Sequence, residues 1–326
     1  MRRLLFPLLL FCALGVKADT GTSIPDMFLQ MQAALQNLNY YGTLVYLHDG
    51  QVQSMRIVHQ ADEAGERERL LNLNGPGREV LRNNDVVTCY IPDQKVVVVG
   101  KRQLAKHMLS KIADNDFHAL QGIYEFKLSA AGRVAGRNAR RIDILPKDNF
   151  RYGYRLWLDN KTALLLGSDL MGESGEVLEQ TMFADISIVD YIQPAMLSPV
   201  TDSKNFNWYR KNSIEGTPPS VDSDWHVGEL PAGFSVNGRY RHPLPETTEP
   251  AEHWVITDGL ASVSIYIEIL PEDNKDVFEG ASRMGVMSVF GVATSGHQIT
   301  VIGDVPAATV EMIAAAVSFA AAEVRQ

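Results

Sequence analysis

Residues 151–171 read RYGYRLWLDNKTALLLGSDLM, two short strands around a polar turn. A strand with one face in water alternates apolar and polar residues with period two. Here Tyr154, Leu156 and Leu158 share one face, but Trp157 lies on the other, and beyond the turn Leu164, Leu165 and Leu166 occupy both. A sheet that is apolar on both faces needs two covers. The fold therefore turns on what supplies the second one: a helix, another domain, a lipid or a partner protein.

Upstream, the stretch SIPDMFLQMQAALQNLNY repeats Phe28, Met31, Leu35 and Leu38 at helical spacing, with Pro25 where a first turn tolerates it. From Gly42 the period becomes two. GTLVYLHDGQVQSMRIVHQ is a hairpin around His48-Asp49-Gly50. Strands are expected at 67–73, 78–82, 85–91 and 95–99, parted by Asn74-Gly75-Pro76-Gly77, Asn83-Asn84 and Pro92-Asp93. A helical excursion, Leu104–Ile112 and Phe117–Ile123, interrupts the meander before strands resume at 125–130, 138–145, 152–159, 162–170 and 176–188. The pattern predicts α+β architecture, a large antiparallel sheet with helices on one face.

Between Pro194 and Asp224 the composition turns to Pro, Ser, Asn and Asp without periodicity, and residues 211–224 read as a linker. Phe206, Trp208 and Tyr209 just before it are a heavy aromatic load for a spacer. A hairpin around Asp258-Gly259, strands at 286–291 and 298–303, and a closing helix opened by Asp304 and Pro306 predict a smaller α+β domain. The organisation expected is a segment 1–18, an N-terminal domain 19–210, the linker, and a C-terminal domain 225–326.

The first 18 residues set the compartment. Arg2 and Arg3, the apolar run Leu4–Val16 and Val16-Lys17-Ala18 form a signal peptide, with cleavage expected near Ala18 and a soluble periplasmic product. Loss of Arg2, Arg3 and Lys17 would take the net charge from −9 to −12, which argues against nucleic acid as a partner. Only Cys89 would remain, excluding an intramolecular disulfide, and its setting in DVVTCYI reads as a buried, inert thiol.

Catalytic chemistry finds no support. Gly172-Glu173-Ser174-Gly175 is a hairpin turn rather than a nucleophile elbow, and no phosphate loop, His-Glu-x-x-His or Cys-x-x-Cys occurs. His107 and His118 have no familiar metal-ligand spacing, and Asp222, Asp224 and His226 lie in or beside the linker, where polar residues are expected anyway. The chain is expected to be neither an enzyme nor a metal or cofactor protein. Two features stand out. Arg133, Arg137, Arg140, Arg141, Lys147, Arg151 and Arg155 crowd one interval of an acidic chain, as an anion site or as a solvated face balanced by acids. The two-faced sheet is either an ordinary core or a cleft for an acyl chain or a partner's side chains.

The run YRLWLDNKTALLLGSDLMGESGEVLEQTMF resembles the RseB family, also called MucB, of sigma-E factor regulatory proteins of the bacterial periplasm. The resemblance extends through DSDWHVGELPAGFSV, HWVITDGLASVSIYIE and GHQITVIGDVPAATVEMIA. Its Trp-Leu-Asp-x-x-Thr element also looks like that of the LolA and LppX lipoprotein carriers. The resemblance implies a half-open, carrier-like barrel joined to a smaller α+β domain. It also implies binding to the periplasmic domain of an anti-sigma factor of the RseA or MucA type, protection of that factor from regulated proteolysis, and release on sensing lipopolysaccharide or mislocalised lipoprotein. A homodimer or larger homo-oligomer follows from it too. On this basis Leu156, Leu158, Leu164, Leu166 and Met171 are expected to receive acyl chains, and Arg151 and Arg155 phosphates. Trp208, Tyr209, Trp225 and Phe234 are expected to anchor the partner. The alternative is a periplasmic lipid or lipoprotein carrier.

Overall fold

The structure, a computed structural model, describes residues 22–101, 117–210, 223–242, 250–270 and 277–319. The signal peptide, the helical excursion Leu104–Ile112, His107, Asp222 and nearly all of the expected linker lie outside the described residues.

Helix α1 (Ile24–Asn37) starts where the Ser23 hydroxyl accepts the Asp26 amide, with Pro25 in its first turn, and it buries Met27, Phe28, Met31 and Ala34. A meander follows: β1 (Asn39–His48), β2 (Gln51–Asp62), β3 (Gly65–Asn72), β4 (Glu79–Asn83), β5 (Val86–Ile91) and β6 (Val96–Lys101). Helix α2 (Phe117–Ile123) leads into a second meander: β7 (Tyr124–Val134), β8 (Arg137–Pro146), β9 (Gly153–Asp159), β10 (Leu165–Met171) and β11 (Val177–Val189). Strand β12 (Asn207–Arg210) ends the unit.

These twelve strands form one sheet in the order β12-β6-β5-β4-β3-β2-β1-β11-β10-β9-β8-β7. The two meanders join where β1 pairs with β11. Strands β12 and β7 are its edges, so the sheet is open, and every pairing but β12 with β6 is antiparallel. The chain crosses from β6, next to one edge, to the other edge strand, β7, and α2 lies at the end of that crossing.

The second unit holds β13 (Trp225–Val227), β14 (Ser235–His242), β15 (Ala251–Thr257), β16 (Ser262–Ile269), β17 (Gly280–Met284), β18 (Met287–Thr294), β19 (His297–Gly303), α3 (Ala307–Ala316) and β20 (Val317–Phe319). Six of these strands make an antiparallel sheet in the order β14-β15-β16-β19-β18-β17, and β13 pairs with β20. Trp254, Ile256, Ile265, Val301, Val310 and Ile313 form its core between sheet and α3. Each such side chain contributes roughly 1.5–3 kcal/mol through burial. Strands β12, β13, β14, β17 and β20 are not legible in the sequence, because each is short, Gly-interrupted or paired over a long distance, and Val317, expected on the closing helix, begins β20 instead.

The cover question has a concrete answer. Leu156 and Leu158 pack with Met27, Phe28 and Met31 of α1, Leu120 of α2, and Leu260 from the second unit. Leu164 and Leu166 pack with Ala34, Tyr40, Ile57 and Phe183. Helices and the other domain supply the cover, and the leucines are core. On the far side of β9, Trp157 lies beneath the Arg141 guanidinium, 5.6 Å from its ring centre, and against Gly132, where even a Cβ would come within 2.6 Å of the indole. Cys89 is half-buried rather than enclosed.

Candidate functional site

The loop between β8 and β9 carries a folded arginine. Asp148 accepts the Phe150 amide at 3.0 Å and grips Arg151 with both oxygens, from Nε at 2.9 Å and Nη2 at 3.0 Å. This Asx turn aims the guanidinium out of the large sheet and into the second domain. There Nη1 donates to Asp258 Oδ2 at 2.6 Å, and Nη2 also donates to the Ala232 carbonyl at 2.6 Å. The Arg151 and Asp258 side chains are both fully buried. The rings of Tyr124 and Phe234 flank the guanidinium at 5.4 and 4.9 Å from its carbon.

Asp258 sits in the turn between β15 and β16. Its Oδ1 accepts the amides of Leu260 and Ala261 at 2.8 and 2.7 Å, while Oδ2 takes Arg151 and the Tyr124 hydroxyl, the latter at 2.9 Å. Burial, then the Asp258 charge, pushes the Tyr124 phenol well above its ordinary range, so it donates at any physiological pH. Burial alone would lower the Arg151 pKa, but the Asp148 hydrogen bonds and the Asp258 charge outweigh it and hold the guanidinium charged. Around this node, the Thr309 hydroxyl donates to the Phe150 carbonyl at 2.7 Å. Gly233, at φ +81°, approaches Ile123 so closely that a Cβ would meet it at 2.8 Å.

Two clefts open along the same seam, and another lies in the large domain beside it. One, of about 320 Å³, is lined by Tyr154, Asp169, Glu179, Leu260, Ser262 and Asp304. Glu179 is held by the Tyr46 hydroxyl at 2.7 Å and by His48 at 2.8 Å. Partial burial first, and the Glu179 charge second, raise the Asp304 carboxyl above its ordinary range. The second, of about 410 Å³, brings together Arg151, Arg155 and Met171 beside Leu145 and Tyr154. The third, of about 630 Å³, lies between Tyr152 and Glu173 on one side and Arg283 and Pro306 on the other.

The expected site residues therefore separate. Met171, Arg151 and Arg155 meet at one cleft, whereas Leu156, Leu158, Leu164 and Leu166 lie under helices and line none of these three clefts. The open apolar face expected for them is corrected: α1 and α2 pack on the face that bears the leucines. The basic interval is largely neutralised. Arg137 forks onto Asp159 at 2.9 and 3.1 Å, Arg141 pairs with Asp143 at 3.1 Å, and Arg155 bonds Asp169 at 3.3 Å. The face balanced by acids is the arrangement found.

The aromatic anchors divide too. Trp208 and Tyr209 are exposed on edge strand β12, with Trp208 edge-on to Tyr90. Trp225 and Phe234 are buried, which corrects their expected role as surface anchors. Trp225 packs against Phe319 and His297, and Phe234 lies under Arg151. Sequence reasoning missed Asp148, Tyr124, Ala232 and Asp258 as a cluster. The available signal was the Asp258-Gly259 turn, whose carboxylate has a second oxygen to spare.

A wide open sheet fixed to a second domain by a buried ion pair, with two clefts along the seam, defines a two-domain protein with cavities between its domains. The chain belongs to the MucB/RseB family: the model of the MucB/RseB N-terminal domain matches residues 23–201 and that of the C-terminal domain residues 219–318. Its relatives include the sigma-E factor regulatory protein RseB of Haemophilus influenzae, 29% identical over 89% of each chain. The sigma factor AlgU regulatory protein MucB of Pseudomonas aeruginosa is 29% identical over 96% of each. The crystal structure of MucB in complex with MucA(peri) superposes with a TM-score of 0.71 at 27% identity, covering 92% of this chain and 100% of that one. The crystal structure of MucB gives 0.58, also at 27% identity, over 90% and 96%. Among the described residues no helix is long and apolar enough to cross a membrane.

Proposed function

We propose that this chain is a periplasmic negative regulator of a sigma-E-type envelope stress response. It binds the periplasmic domain of a membrane-anchored anti-sigma factor, shields that factor from regulated proteolysis, and lets it go when lipopolysaccharide or lipoprotein acyl chains engage the regulator. The observation that carries this reading is the superposition, over both domains, on a relative solved in complex with the periplasmic part of its anti-sigma factor. Removal of residues 1–18 on export delivers the chain to the periplasm, where it works as a homodimer or larger homo-oligomer.

The seam is the partner surface in this reading, with Trp208 and Tyr209, on edge strand β12, as further exposed aromatic anchors. Acyl chains enter at the cleft of Arg155 and Met171; the leucines of β9 lie on the sheet face that α1 and α2 cover, and are reached only when a helix is displaced. Lipid can then release the partner only by binding the displaced form better than the closed one. Calorimetric titration of residues 19–326 with the anti-sigma factor's periplasmic segment, with and without lipopolysaccharide, tests this. Tight binding weakened by lipopolysaccharide is expected, and no binding in either condition overturns the reading.

A further inference from the structure

We propose that Arg151 and Asp258 form a latch that fixes the two domains in the arrangement competent to bind the partner, an inference that rests on the partner-binding reading above. The pair joins residues 107 positions apart, one from each domain, and neither side chain reaches solvent. The polar bonds around it run across the seam as well: Arg151 to the Ala232 carbonyl, Tyr124 to Asp258, and Thr309 to the Phe150 carbonyl. Apolar contact such as that of Leu260 with the large domain's core tolerates sliding. Hydrogen bonds to a charged group do not, because their strength falls steeply with distance and angle.

The seam beside the latch is loosely filled. Two clefts interrupt it, so the node concentrates the specific contacts that hold the domains in register. Domains joined by a small polar interface move relative to one another unless something fixes them. The arrangement fixed here superposes with a higher TM-score on the structure of MucB in complex with MucA(peri) than on the crystal structure of MucB, a difference between those two structures.

Asp258 allows the latch to be tested apart from the turn that carries it. Asp258→Asn can keep Oδ1 on the Leu260 and Ala261 amides while presenting a donor to Arg151 and Tyr124 where an acceptor stood. Arg151→Met removes the charge from the other side, and combining the two leaves no fully buried charge in the seam, since Asp148, which loses its partner, is partly exposed. Small-angle X-ray scattering of residues 19–326 reads the domain arrangement, and titration with the periplasmic segment of the anti-sigma factor encoded in the same genome reads binding. Asp258→Asn is expected to enlarge the radius of gyration and to weaken that segment at least tenfold. A purely structural role instead lowers the melting temperature with scattering and affinity unchanged, which overturns the latch. Changed scattering with wild-type affinity overturns its link to binding. If the unaltered chain fails to bind the segment, the regulator reading falls, while unchanged scattering in Asp258→Asn still sinks the latch by itself. Should Asp258→Asn fail to fold, the double variant, with both charges gone, carries the same scattering test.

Discussion

Arg69 and Arg151 are each buried against a carboxylate, yet the first closes a sheet and the second joins two domains. Arg69 donates from Nε to Glu79 at 2.7 Å, and Glu79 also accepts the amides of Val200 and Thr201 at 3.0 and 2.9 Å. Nη1 of Arg69 reaches the Met196 carbonyl at 3.0 Å. This node ties the segment after β11 back across β3 and β4, and so delivers β12 to the sheet edge. Its members come from adjacent strands and a return of the same domain. The Arg151 node has the same chemistry with its acceptors divided between domains. The lesson is that a buried pair stabilises whatever its two ends belong to, a fold in one case and an arrangement in the other.

The comparison breaks most sharply at Glu79. Glu79→Gln leaves Arg69 buried without its counter-charge, and should cost about 3–5 kcal/mol, read as a lower urea midpoint for the large domain. Asp258→Asn should cost less, about 1–3 kcal/mol of unfolding free energy, because the two domains retain separate cores; the Arg151→Met/Asp258→Asn double variant should recover part of it. Chemical denaturation of the three variants checks the order. Equal losses at Glu79 and Asp258 would erase the distinction between closing a fold and joining two.

Acid should also tell the regions apart. Burial would raise the Glu66 carboxyl, but hydrogen bonds from Arg82 and His59 overcome it and hold it at about 2, against 4.5 unperturbed. Its stabilisation is complete above about pH 4.5 and is lost as pH falls toward 2. Glu79 and Asp159 are likewise lowered: burial opposes, but the Thr201 hydroxyl and the Val200 and Thr201 amides win at Glu79, and Arg137 and Thr162 at Asp159. Asp304, raised on the seam, acts in the opposite sense, since its protonation as pH falls relieves its repulsion with Glu179. Fluorescence-monitored acid titration should therefore show the large domain losing stability first. The smallest expected effect is at Trp208, where truncation to Ala on an exposed edge should change stability by under about 1 kcal/mol. Titration should still show weaker binding of the anti-sigma segment.

Much of the large sheet was legible because its strands alternate cleanly and its turns carry Asp-Gly, Asn-Asn or Gly-Pro. Helix α1 was legible for the same reason: a capping Ser23, Pro25 and a regular apolar stripe all agree. The site was less so. Arg151 and Arg155 were noticed as part of a charge run, but a charge run does not say which acids it will meet. Trp225 and Phe234 looked like surface anchors because they stand beside a polar linker. Their partners, Phe319 and Arg151, lie far away in the chain.

By itself the sequence determined the periods of its strands, the places of its turns, two apolar units and the excess of acid over base, since each depends on neighbours within a few residues. Tertiary structure alone decided that the leucines of 156–166 face helices, and that Arg151 spends its charge on Asp258. Those outcomes depend on contacts across more than a hundred residues, where burial removes water and leaves each polar group to the one partner the fold brings within reach.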